Sequence, residues 1–292
     1  MTSLYQRLDY GISVVDTDFL RPRFDASFLI VENGRAAIVE TGPNSAVPHL
    51  LAALEAHGLE RDAVDYVIPT HVHLDHAGGA GLLMQHLPRA KLVIHPRGAR
   101  HMIDPSVLMQ GVRAVYGAEV AARDYGELVP IPAERVITTT DGMVIELSGR
   151  PLLFADTPGH ARHHHCIWDE ASRGWFTGDT FGIVYPELAP YIVPATAPVQ
   201  FDHGALHESV ARLLAKRPEF MYLTHFGAVR DAAKLAGQYL SQVDAMAAAA
   251  RSLANEPGRH DKLKRAFGDI YIAELRRSIW RSEERRVGKE CR

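Results

Sequence analysis

The chain has 292 residues, a formal net charge of −3, and 47% hydrophobic against 23% charged residues. This composition is that of a globular protein with one large α/β domain or two modest ones. Its charge balance gives no electrostatic reason to bind nucleic acid or an anionic membrane.

No run of about 18 apolar residues occurs, so no membrane span is expected. The opening stretch MTSLYQRLDYG lacks a basic region followed by an apolar one, so no secretory signal is expected there. With only Cys166 and Cys291, no disulfide framework is indicated, and a reducing cytoplasm fits.

In chain order, the runs 27–31 and 36–40 are β-prone and flank Asn33-Gly34, a strong hairpin pair. Thr41-Gly42-Pro43 ends the second strand. Val47, Leu50, Leu51 and Leu54 fall at i, i+3, i+4 and i+7 and predict a helix that Gly58 terminates. Tyr66-Val67-Ile68 predicts a short buried strand, 81–86 a helix, and Leu92-Val93-Ile94 another strand. Residues 96–135 differ in character. Met102, Ile103, Val107, Leu108, Met109, Val112, Val115 and Tyr116 predict a helical insertion with a broad apolar face. Strand patterns resume at 144–147, 152–154, 166–168 and 175–177. The last third reads as helical: Leu206, Val210, Leu213 and Leu214 mark one helix, and about 231–280 holds two more. A short strand, Met221-Tyr222-Leu223, interrupts it.

Residues 281–292 carry many charges and no apolar periodicity. They read as a non-native tail, expected to be disordered or loosely attached, after a domain spanning 1–280.

The chain carries 16 histidines, and several stand in metal-ligand spacing. His71-x-His73-x-Asp75-His76 follows the strand 66–68 and precedes Gly78-Gly79. Zinc favours imidazole and carboxylate donors, and two histidines at i and i+2 on an extended turn can face one ion. Asp75 and His76 can then turn toward a second. Three more candidates also follow short apolar runs: His160 after Asp156-Thr157-Pro158-Gly159, Asp179 after Phe176-Thr177-Gly178, and His225 after Tyr222-Leu223-Thr224.

The elements THVHLDHAGG at 70–79, TPGH at 157–160, TGD at 177–179 and THFG at 224–227 resemble the metallo-β-lactamase superfamily, in that family's order. The resemblance covers about residues 20 to 240. Within the superfamily the chain looks most like the glyoxalase-II-like hydrolases of bacteria. The implied fold is an αββα sandwich, here with a helical insertion and a helical C-terminus, and with the metals at one edge. The implied ligand set places His71, His73 and His160 on a first metal and Asp75, His76 and His225 on a second, with Asp179 bridging. Glu40 stands where the family often has Asp, and the resemblance gives it an orienting role behind the ligand loop.

The implied chemistry is hydrolysis. Two divalent ions, zinc first and manganese or iron as alternatives, lower the pKa of a shared water to about 7 and polarise the substrate. Asp75 would hold the nucleophile and manage its proton. A carbonyl ester, thioester or lactone is the expected small-molecule substrate, with no nucleic acid partner, no membrane and room for a homodimer. His73 stands where flavodiiron reductases usually carry a carboxylate, which favours hydrolysis. A mononuclear iron persulfide dioxygenase, a phosphodiesterase and a non-catalytic metal-binding regulator are the alternatives. Of the other candidates, one of His163, His164 and His165 is expected near the pocket and the rest in structural roles. Cys166 is expected in the core, His203 and His207 at a helix cap or surface, and Arg162 at the surface or on an anionic substrate. Met102, Met109 and Tyr116 suit either core packing or an acyl group.

Overall fold

The computed structural model describes residues 5–185, 191–196 and 199–290, those from 278 onward as backbone only. The alternating and continuous apolar runs become two sheets. The first has seven strands in sequence order: β1 (Tyr5–Arg7), β2 (Ile12–Asp16), β3 (Ala26–Glu32), β4 (Arg35–Val39), β5 (Val64–Ile68), β6 (Lys91–Ile94) and β7 (Val136–Thr138). β1 to β4 are antiparallel, and β4 to β7 are parallel. Asn33 and Gly34 both have positive φ in the β3–β4 turn, as the Asn-Gly pair demands.

Parallel strands need crossovers, and helices supply them. α1 (Val47–Ala56) links β4 to β5. α2 (Leu74–Ala77) and α3 (Ala80–His86) link β5 to β6. α4 (Pro96–Ile103), α5 (Ser106–Tyr116) and α6 (Ala118–Asp124) form the expected insertion before β7. Met102 and Met109 are buried in packing, while Tyr116 is exposed, so core packing is the role of both methionines.

The second sheet has six strands: β8 (Val144–Leu147), β9 (Arg150–Asp156), β10 (His165–Asp169), β11 (Gly174–Gly178), β12 (Phe220–Leu223) and β13 (Gly227–Val229). Their spatial order is β13-β12-β11-β10-β9-β8, and only β11–β12 is parallel. α7 (His203–Ala215) is the β11–β12 crossover; α8 (Ala232–Ser252) and α9 (Arg259–Glu290) follow.

Three apolar layers hold this together. Between the sheets, Phe28 meets Phe176 and Tyr222 edge-on at 5.3 and 5.6 Å. Burying one such aromatic contributes roughly 2–3 kcal/mol. Outside the first sheet, Leu50, Leu54, Leu83 and Met84 cover Val67, Leu92 and Ile94. Outside the second, Leu206, Val210, Leu213, Leu235 and Tyr239 cover Cys166, Trp175 and Met221. The result is the αββα sandwich that the sequence implied.

The tail was expected to be disordered or loosely attached; the backbone of 281–290 continues α9 as helix, which answers the first alternative and leaves the second open. Helical propensity does not require an apolar stripe: Glu, Arg and Lys are good helix formers, and they dominate this stretch. Residues 291–292, including Cys291, lie outside the described residues.

Candidate metal centre

Four strands deliver the candidate residues to one end of the sandwich. β5 ends at Ile68, and Thr70 to His76 follow it. β9 leads into His160, β11 into Asp179 and β12 into His225. His71 and His73 lie on the extended entry to α2, with His73 at its N-cap, while Asp75 and His76 ride on that single turn of helix. Two glycines permit the close approach. Gly178 has φ +45°, and a Cβ there would strike the Thr70 hydroxyl; Gly159 has φ +137°, and a Cβ there would strike the Leu206 backbone.

The structure brings all seven candidates together. His71, His73, His160 and Asp179 form one cluster; Asp75, His76 and His225 form another. His71 Nε2 is 2.8 Å and His160 Nε2 3.1 Å from His73 Nδ1. His225 Nε2 and His76 Nε2 lie 3.5 and 3.7 Å from Asp75 Oδ2. Asp179 stands between the clusters. Its Oδ2 is 3.3 Å from His160 Nε2, and its Oδ1 is 3.4 Å from both His76 Nε2 and His225 Nε2. Each carboxylate oxygen therefore faces a different cluster.

The outward ring nitrogens of four of the five histidines are tied down, which fixes the planes of His71, His76, His160 and His225. His160 Nδ1 donates to Ala195 O at 2.9 Å and His225 Nδ1 to Phe24 O at 3.0 Å. Glu40 anchors the rest. Its Oε1 accepts from Thr70 Oγ1, His76 Nδ1 and Thr224 Oγ1 at 2.5, 3.0 and 3.2 Å, and its Oε2 accepts from Thr70 N at 3.0 Å. With its proton committed to Glu40, Thr70 Oγ1 accepts from His71 Nδ1 at 3.1 Å. The orienting role expected of Glu40 is thus visible as four contacts.

The electrostatics divide along the same line. Burial and neighbouring imidazoles push His71 well below the ordinary histidine range, and His73 down to about 4. Burial also acts to lower His76 and His225, but the carboxylates outweigh it. Asp179, Glu40 and Asp75 raise His76 well above its usual value; Asp179, Asp75 and Asp25 raise His225 to about 9. Burial opposes the charged form of Asp75 and Asp179, yet the facing histidines hold both below the usual carboxylate range.

The histidine run divides as expected. His163 is the pocket member: its ring stacks on His71 at 6.0 Å and meets His73 edge-on. His164 supports the Asp179 loop, with Nε2 accepting from Asp179 N and Nδ1 meeting the Thr157 and Thr180 hydroxyls. His165 ties the sheets together through Pro69 O and Thr139 Oγ1. Cys166 is fully buried, and burial pushes its thiol up to about 12, so it is inert core. Arg162 is exposed, and its backbone N–H donates to Gln200. Of the two expected places, a helix cap or the surface, His203 and His207 take the surface, each about a third exposed. Asp202 caps α7, and both rings turn onto Asp244.

Sequence reasoning missed Thr70, Thr224 and Asp25. The Thr-His pair repeated at 70–71 and 224–225 was the signal for the first two. Asp25 is fully buried, hydrogen-bonded by Thr17 Oγ1 at 3.2 Å, and raised well above the carboxylate range by burial. Beside the centre runs an aromatic wall. Phe24 meets His225 at 5.6 Å and Tyr185 at 5.8 Å; Phe19 bridges Phe24 to Tyr125, and Tyr125 reaches Tyr116 on the insertion.

A family model described as the Metallo-beta-lactamase superfamily matches residues 20–225. The chain belongs to this superfamily. A metallo-beta-lactamase fold-containing protein of Sulfurisphaera tokodaii, ST1585, is 28% identical over 187 residues, covering 62% of this chain and 67% of that protein. An atrochrysone carboxyl ACP thioesterase of Aspergillus fumigatus is 25% identical over 155 residues, 53% of this chain and 39% of the fungal protein. The match therefore spans well under half of the fungal relative's length. Among solved structures, the archaeal superfamily protein ST1585 from Sulfolobus tokodaii superposes with a TM-score of 0.67 at 21% identity, covering 92% of this chain and all of that one. Superfamily membership and fold thus agree with the donor clusters at the sandwich edge, whose chemistry suits metal binding. No helix among the described residues is long and apolar enough to cross a membrane.

Proposed function

We propose that this chain is a metal-dependent hydrolase that holds two divalent ions and cleaves a carbonyl ester, thioester or lactone. The observation that carries this reading is Asp179, with one oxygen turned to each donor cluster. The residues fit such ions. His76 Nε2 and Asp179 Oδ1 are buried without a hydrogen-bond partner, an arrangement that is costly unless something else engages them. Spacings of 3.3 and 3.4 Å are also about the ligand–ligand distance around a tetrahedral ion with bonds of roughly 2.0–2.1 Å. His71, His73 and His160 would hold one ion, Asp75, His76 and His225 the other, and Asp179 both.

When bound, such ions supply Lewis acidity and make hydroxide available near neutral pH. The chain's own part is positional. Glu40 and Thr70 lock the rings of His71 and His76. Asp75, with its Oδ2 3.5 Å from His225 Nε2 and partly open to solvent, takes the proton of the attacking water and passes it to the departing oxygen or sulfur. Phe24, Tyr185 and Tyr125 offer an apolar face beside the reacting end, suited to an acyl chain or ring.

A thioesterase among the relatives supports acyl chemistry over phosphoryl transfer, as does the formal charge of −3. Within this reading the ion is zinc, which five imidazoles and two carboxylates suit, with manganese or iron able to replace it. The subgroup is glyoxalase-II-like, the compartment the cytoplasm, and the partner a small molecule or a second copy of the chain. The test is a panel of thioesters, lactones, phosphodiesters and β-lactams, hydrolysed by protein of measured metal content. Preference for a carbonyl substrate supports the reading. RNA or a phosphodiester cleaved much faster than every carbonyl substrate overturns it.

A further inference from the structure

Away from this centre, α7 and α8 share an apolar seam of Leu206, Val210, Leu213, Leu235, Ala236, Tyr239 and Val243. At its solvent edge stand His203 and His207, four residues apart on α7, and Asp244 on α8. The i, i+4 spacing puts both imidazoles on one face, with ring centroids 4.8 Å apart. His203 Nε2 and His207 Nε2 point at the same oxygen, Asp244 Oδ1, at 2.7 and 2.8 Å. The three donor atoms lie within 4.8 Å of one another.

We propose that His203, His207 and Asp244 form a separate metal site that binds one divalent transition ion, such as Zn2+, Co2+ or Ni2+. Two imidazoles one helical turn apart plus a carboxylate make an established donor type for such ions, with water filling the remaining position. All three side chains are partly exposed, about a third for each histidine, so an ion can enter from solvent. The packed seam holds both helices in place, so few degrees of freedom are lost on binding. Coordination needs the Nε2 lone pairs; each neutral ring keeps its proton at Nδ1 instead, and the Asp244 carboxylate opens by about half an ångström to admit the ion.

The consequence is a clamp between α7 and α8. The start of α7 also touches the loop carrying His160: Asp202 N donates to Gly159 O at 2.8 Å, and Ser209 Oγ to Pro158 O at 2.6 Å. The clamp therefore braces one wall of the first centre without sharing a residue with it.

The experiment counts ions. Protein stripped with a chelator is equilibrated with Co2+ or Zn2+ at pH 7.5, and bound metal is measured per chain. Wild type should hold one ion more than the His203→Ala/His207→Ala double variant and than His207→Gln. The glutamine can still donate a hydrogen bond to Asp244 but is a poor ligand. At free metal about 100 times the Kd, this extra ion should add roughly 5 °C to the thermal midpoint of wild type relative to either variant. Because the readout is a difference between proteins, it is independent of how many ions the first centre takes. Equal counts and equal metal-induced shifts in all three proteins would overturn the proposal and leave a hydrogen-bonded triad.

Discussion

Glu40 and His76 sit 36 positions apart in sequence, yet Glu40 Oε1 accepts a buried hydrogen bond from His76 Nδ1 at 3.0 Å. The same carboxylate holds Thr70 and Thr224, so it joins two donor loops that come from different sheets. Glu40→Ala strands several buried donors, each at a cost of about 1–3 kcal/mol. We expect a lower thermal midpoint and metal affinity weakened roughly 10–100-fold. Metal titration of the stripped variant reads this directly. Wild-type affinity would mean that the loops hold their shape without the carboxylate.

The donor clusters predict a stoichiometry. Protein never exposed to chelator should carry close to two ions per chain in the centre around Asp179. Chelation should abolish turnover, and Zn or Mn should restore it. Elemental analysis finding no bound metal would sink the hydrolase reading.

Asp75 and His71 should fail differently. Asp75→Asn keeps the shape and loses the charge, so turnover should fall roughly 100-fold, with weaker binding at the Asp75–His76–His225 cluster. His71→Ala should instead empty the other cluster. Measuring metal content and turnover side by side separates them. Near-normal turnover in Asp75→Asn with both ions bound would move the proton-handling role elsewhere.

At the far end of the sandwich, Arg150 and Asp169 are buried and paired twice, Nε–Oδ1 at 2.8 Å and Nη2–Oδ2 at 2.6 Å, while Arg150 Nη1 reaches Tyr10 O across the sheets. Asp169→Ala leaves a buried guanidinium with only the more distant Glu32 carboxylate, at 3.5 Å from Nη1, and should cost about 3–5 kcal/mol. Denaturant unfolding should show this loss, with metal content unchanged in the folded fraction. A change under about 1 kcal/mol would show that solvent reaches Arg150 readily.

Removing residues 281–292 should leave metal content unchanged and the thermal midpoint within about 2 °C. Their sequence has no apolar stripe to bury, although the helix runs to Glu290. A drop of several degrees would show that this end of α9 packs.

The centre was legible because the first donor of each of its four loops sits just past a short apolar run with small residues beside it: Thr70-His71, Gly159-His160, Gly178-Asp179, Thr224-His225. Such strand-end turns leave a local signature. Asp25 left none, because its meaning depends on Thr17 and on the distant His225. The His203–His207–Asp244 group was hidden for the same reason, its acid lying on another helix. β1 and β13 are three residues each and owe their order to neighbouring strands, so no local pattern announces them. The helix at 281–290 was missed because apolar periodicity, rather than propensity, was the guide.

The division of donors between the sheets also sets an order of events during synthesis. His71, His73, Asp75 and His76 leave the ribosome within six residues of one another, on a sheet whose strands end at Thr138. His160, Asp179 and His225 arrive only with the later sheet. A nascent chain shorter than 225 residues holds an incomplete donor set, so the full centre can assemble only after the two halves have docked.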